Sequence, residues 1–160
     1  DNLNREIKLY LTKLSQAALN QEQLQREMAL LATINDLENI GDIIDKNLME
    51  LARKKIYKGL RFSDQGLKEI VDLHQMVAHN FEGVITAFTT QDPELTQKVI
   101  KNKSGVAQKE RELRQAHIRR LHEGLPESIE TSAIHLDVLT NLKRINSHIT
   151  NIAYPIAEQA

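Results

Sequence analysis

An all-α fold, an antiparallel up-down helical bundle of about five helices, is predicted by three observations. Apolar residues recur at spacings of three and four along nearly the whole chain of 160 residues. The few helix breakers, three Pro and six Gly, fall mostly where helices should stop. No long stretch alternates β-branched with polar residues, the pattern that a strand needs.

The elements follow in order. The spacing predicts a first helix over about 2–18, with Leu3, Ile7, Leu11 and Leu14 on one stripe. Asn20 is placed to cap the next helix, and Gln23 three residues on completes a capping box. The second helix runs over about 21–57, with Leu24, Met28, Leu31, Ile34, Gly41, Ile44, Leu48 and Leu51 along its stripe, Leu37 beside them and Gly59 as the stop. Ser63 opens a third helix over about 64–90, whose predicted seam is Leu67, Ile70, His74, Val77, Phe81, Val84 and Phe88. Asp92-Pro93-Glu94 supplies a cap, a Pro at the first helical position and an acid in the first turn. The fourth helix therefore runs over about 93–122, carrying Leu95, Val99, Val106, Leu113, His117 and Leu121, with Glu110 on the same seam. Gly124 and Pro126 end it, and the fifth helix covers about 127–154, with Pro155 expected to kink any continuation. The last three helices are each about 40 Å long, and their short connections make neighbours antiparallel. The short first helix is expected at one end of the bundle. The whole of residues 1–160 reads as a single domain, and a helical pattern that begins almost at Asp1 suggests a segment of a longer chain.

Composition narrows the function classes. A net charge of −1, with 21 basic and 22 acidic residues, removes the global electrostatic case for a nucleic-acid binder. Without Cys there are no disulfides, thiol nucleophiles or cysteine-ligated metals. Aromatics are 4% of the chain and Trp is absent, so base-stacking platforms are not expected. No phosphate-cradling Gly loop, catalytic triad or Glu-x-x-His pair occurs, and the chain reads as a non-enzyme.

Two stretches echo each other: Asp36-Leu37-Glu38-Asn39-Ile40-Gly41-Asp42 on the second helix and Asn141-Leu142-Lys143-Arg144-Ile145-Asn146-Ser147 on the fifth. The chain thus resembles one and a fraction repeats of a three-helix unit. The first stretch resembles the signature of the PhoU family, in which an acid, three residues and then Asp lie on the last helix of each unit. Residues 141–153 resemble the second copy. The lead-in Glu130-Thr131-Ser132 and His135-Leu136-Asp137, with Arg144-Ile145-Asn146-Ser147-His148, is most similar to the PhoU-like domains attached to bacterial sodium/phosphate cotransporters. That resemblance implies a regulatory domain of phosphate uptake or signalling, on the cytoplasmic side of the inner membrane or in the cytoplasm. It also implies, in some members, metal clusters held through the acids.

Glu38 and Asp42 stand four residues apart on one helix face, flanked by Asn35 and Asp45. Four oxygen-bearing side chains on one strip are candidate ligands for iron, zinc or another divalent metal; the alternative is a solvated acidic face paired with Lys or Arg. The second copy replaces the two acids by Lys143 and Ser147, and Lys143 could pair with an acid across the bundle. His74 and His117 are expected as hydrogen-bonded core histidines. Arg53, Lys54, Lys55, Lys58 and Arg61 cluster where the second helix ends, and Arg119, Arg120 and His122 where the fourth ends. Cations complement helix C-termini; the sharper reading is a basic end facing anionic lipid headgroups or phosphate. The candidate partners are a membrane transporter domain or a phosphate-signalling protein, an anionic membrane surface, and a second copy of the chain.

Overall fold

The structure, a computed structural model, describes residues 2–15 and 19–158. Helices α1 (Asn2–Leu14), α2 (Gln21–Asp42), α3 (Met49–Tyr57), α4 (Asp64–Thr90), α5 (Pro93–His122) and α6 (Pro126–Glu158) follow one another, and a π-helical turn over Ile43–Leu48 joins α2 to α3 as one continuous rod. The bundle therefore has five rods, as expected, and no strand among the described residues. The last part of the first predicted helix, 16–18, lies outside the described residues. α1 does not sit at an end of the bundle: Lys8 reaches Glu38, so it lies along the outer side of α2.

Helix ends are set by local chemistry. Asn20 accepts from the Gln23 backbone N–H at 2.8 Å, and the Gln23 side chain accepts from the Asn20 N–H at 3.0 Å, a complete capping box. Ser63 accepts from Gly66 N–H at 3.2 Å, and Asp92 accepts from Glu94 and Leu95 at 2.9 and 3.1 Å. Gly59 (φ 64°) and Gly124 (φ 74°) take the left-handed conformation that stops α3 and α5. Leu60 N–H then reaches back to Lys55 C=O and Leu125 N–H to Arg120 C=O. α6 continues through Pro155 to Glu158.

α6 is the central rod, packing against α2, α3, α4 and α5. Its Leu139, Leu142, Ile145, Ile149 and Ile152 meet Leu73, Val77 and Val84 of α4 and Val99, Val106 and Leu113 of α5. Across this core runs a polar tie: Asn102 donates to Asn80 Oδ1 at 2.7 Å, and Asn80 donates to Asn146 Oδ1 at 2.8 Å. It joins three helices at one level and restricts their register.

The buried face of α4 is rotated from the predicted seam. Gly66, Glu69, Leu73, Val77, Asn80, Val84 and Ala87 are buried, whereas Leu67 and His74 are exposed. His74 is thus not a core histidine; His117 is. Along α2, Leu24, Met28 and Leu37 are exposed, as is Ile44 in the π turn, and the buried positions are Glu27, Thr33 and Ile40, followed by Ile43. The π turn bears only on the part of the stripe that enters and follows it, Ile44, Leu48 and Leu51. It widens the winding, so a face followed in steps of three and four through it emerges rotated.

Candidate functional site

The acidic strip of α2 is met by cations. Glu38 accepts from Lys8 Nζ at 3.3 Å and from Asn4, and Asp42 accepts from Lys46 Nζ at 2.8 Å. The hydrogen bond and charge of Asp42 hold the Lys46 ammonium above its usual range. Asn35 and Asp45 are exposed. No group of three or more His, Asp or Glu able to hold a metal ion is assembled among the described residues. Any cation at Glu38 and Asp42 would have to displace Lys8 and Lys46. In the second copy, Lys143 lies 3.6 Å from the buried carboxylate of Glu110, the cross-bundle pairing expected for it, and Ser147 donates to its own helix backbone. The two copies are also joined directly: His148 Nδ1 and Asp36 Oδ1 are 2.7 Å apart, and Asn151 donates to the same oxygen at 3.2 Å.

A second constellation lies under the end of the bundle where α3 and α5 stop and α4 and α6 start. Arg120 donates from both terminal nitrogens to the two oxygens of Glu69, each at 2.7 Å, and both side chains are buried. The rings of His117 and His135 stack beside them, 4.5 Å between centroids and 10° from parallel. His117 Nε2 meets Ser132 Oγ at 2.9 Å, and His135 Nε2 stands 3.7 Å from Glu69. Burial, then the charge of Arg120, lowers His117; burial, then the charges of His117 and Arg120, pushes His135 down to about 4. Both imidazoles are therefore neutral at pH 7. Parallel rings aim their nitrogen lone pairs side by side instead of at one point, so the pair is a packing element and not a metal clasp. Sequence reasoning placed Arg120 on the basic surface; the structure buries it. Glu69 and His135 were not among the expected site residues: Glu69 lies off the seam predicted for α4, and His135 was named only within the family resemblance.

The surface above this cluster carries the predicted cations. Arg53 pairs with Glu50, Lys55 Nζ lies over the Phe62 ring at 5.4 Å, and Lys54, Lys58 and Arg61 are exposed. Phe62 in turn meets His135 edge-on at 5.9 Å. Ser63 Oγ and Ser128 Oγ, 3.4 Å apart, bring the α3–α4 and α5–α6 connections together at this end.

The described residues form a five-rod α-bundle bearing a duplicated motif, with acids in one copy and Lys and Ser in the other, and a buried ion pair at one end. The chain belongs to the PhoU domain family: that family's profile matches residues 70–156. It is 32% identical over 153 residues to the "Putative inorganic phosphate export protein YjbB" of Salmonella typhimurium, and 31% identical to the protein of the same name from Escherichia coli K12. Each alignment covers 96% of this chain, which spans 28% of the length of those relatives. Their name refers to export and does not mention sodium cotransport. The fold is that of PhoU from Pseudomonas aeruginosa, with a TM-score of 0.87 at 22% identity over 97% of this chain and 73% of that one. No helix among the described residues is long and apolar enough to cross a membrane.

Proposed function

We propose that this chain is the regulatory domain of a phosphate-transporting membrane protein, working from the cytoplasmic side and catalysing no reaction itself. The observation that carries the reading is the alignment of nearly the whole chain with proteins named for inorganic phosphate export, of which it matches little more than a quarter. The cotransporter resemblance in residues 130–148 supports the same substrate and differs only in the direction of transport. The site chemistry is compatible with a regulator: the motif acids pair with lysines, and the two buried histidines stack on each other.

Regulation requires that the domain favour one state of its partner, since equal affinity for both would shift nothing. The test is phosphate flux, inward and outward, in cells carrying the parent protein with and without residues 1–160 at equal membrane abundance. A changed flux, or a lost response to external phosphate, is expected. Unchanged flux in both directions would contradict the reading. If phosphate-responsive gene expression alone changed, a separate phosphate-signalling regulator would take its place.

A further inference from the structure

We propose that the end of the bundle formed by Ile56, Tyr57 and the cations around them docks on an anionic lipid bilayer, with these two side chains entering the headgroup region. This rests on the reading above only in that the domain works beside a membrane.

Exposure is the first observation. Ile56 is 76% and Tyr57 92% exposed, the two highest values among the exposed large apolar side chains of the described residues, and they are adjacent. Single exposed apolar residues need no explanation. These two are set within Arg53, Lys54, Lys55, Lys58 and Arg61, and residues 51–63 contain no acid. Tyr combines an apolar ring with a polar tip, which suits the boundary between acyl chains and headgroups. Lysines and arginines beside such a residue meet anionic headgroups, each contributing to binding near the surface.

The tip is also held in shape. Gly59 turns the chain out of α3, and Leu60 N–H closes onto Lys55 C=O at 3.0 Å. Lys55 is pinned over Phe62, and Phe62 rests on His135, which stacks on His117 beside the Glu69–Arg120 pair. The buried cluster thus fixes the loop from below while Ile56 and Tyr57 point away from the core, so little ordering is left for docking to impose. Glu50 pairs with Arg53, and Asp64, Glu123 and Glu127 lie at neighbouring helix ends, but the cations outnumber these acids. The opposite end differs: Glu22, Asp92 and Glu94 occupy the first turns of α2 and α5 or cap them. Charge therefore orients the molecule even though its net value is −1.

The test uses the purified 160-residue chain with phosphatidylcholine vesicles, with and without phosphatidylserine, by flotation at low and high salt. The chain should bind the anionic vesicles about tenfold or more tightly than the neutral ones, and salt should weaken this. Lys54→Glu/Lys58→Glu/Arg61→Glu should abolish binding. Ile56→Ser/Tyr57→Ser should weaken it about tenfold with its salt dependence kept, both variants retaining wild-type helicity. Because the chain has no Trp, Tyr57→Trp gives a clean reporter, whose emission should shift to the blue on anionic vesicles. No binding of the wild type at low salt, or equal binding by all three proteins, would overturn the proposal. If vesicles are ignored while deletion of the domain still alters phosphate flux, the tip docks on protein: the lipid proposal falls and the regulatory reading stands. Vesicle binding with unchanged flux gives the converse.

Discussion

Four buried side chains, Glu69, Arg120, His117 and His135, set the behaviour of the basic end at the scale of single residues. Glu69 and Arg120 satisfy each other bidentately, so the neighbouring imidazoles have no free countercharge to accept a proton against. A histidine that stays neutral when folded binds fewer protons than its unfolded counterpart below its ordinary value near 6.5. Stability is therefore intact above about pH 6.5 and declines as pH falls toward about 4, where His135 itself protonates in the folded state. The decline attributable to His135 is on the order of 3 kcal/mol. Urea denaturation at stepped pH checks it: the midpoint should fall through this window, and less steeply in His135→Phe. A midpoint flat between pH 6.5 and 5 would show that the pair is solvated. Some residue-level chemistry was legible in advance. Lys143 could be expected to seek an acid because an ammonium in place of a carboxylate must be neutralised, and Glu110 supplies one. The partners of Glu38 and Asp42 were open, because spacing shows which residues share a face and not what faces them.

Among the elements, α4 shows where helical periodicity stops being decisive. Its boundaries, Asp64–Thr90, agree with the expected 64–90, because Ser63 and the Asp92-Pro93 pair are local signals that need no tertiary context. Its face was misjudged. Two lines of residues on α4 obey the same three-four rhythm and share Val77 and Val84. The line carrying Leu67, His74 and Phe81 is richer in large apolar groups. The line that faces α5 and α6 carries Gly66, Glu69, Asn80 and Ala87, whose value depends on partners elsewhere: His135 against Gly66, Arg120 for Glu69, and Asn102 and Asn146 for Asn80. A single pair of substitutions separates the two faces. Leu73, fully buried, should cost about 2–5 kcal/mol on replacement by Ala, whereas Leu67, 50% exposed, should cost less than about 1 kcal/mol. Thermal denaturation ranks them, and the reverse order would restore the original seam. The π turn at Ile43–Leu48 was illegible for a related reason: no single residue type encodes it, and it reflects how α2 and α3 both settle against α6.

The whole molecule is a rod bundle with unlike ends, one basic and tipped by Ile56 and Tyr57, the other bearing Glu22, Asp92 and Glu94. The two copies of the motif meet through Asp36, His148 and Asn151, so the bundle holds the duplicated elements as one body. On the proposed function, a body of this kind would act on its membrane partner by resting differently against two transport states. Global class was legible in the sequence because periodicity and punctuation repeat over the whole length, and the duplicated motif needs two distant segments to agree. That the cations of the second and fourth helix ends share one side of the bundle followed from the antiparallel order; the burial of Arg120 beneath them came only from the structure. The most direct measurement is radiolabelled phosphate flux through the purified parent protein reconstituted in liposomes, intact and lacking residues 1–160, with equal protein incorporated. With no other cellular component present, the account predicts that excision changes the rate or its dependence on phosphate. Identical rates across the phosphate range would contradict it.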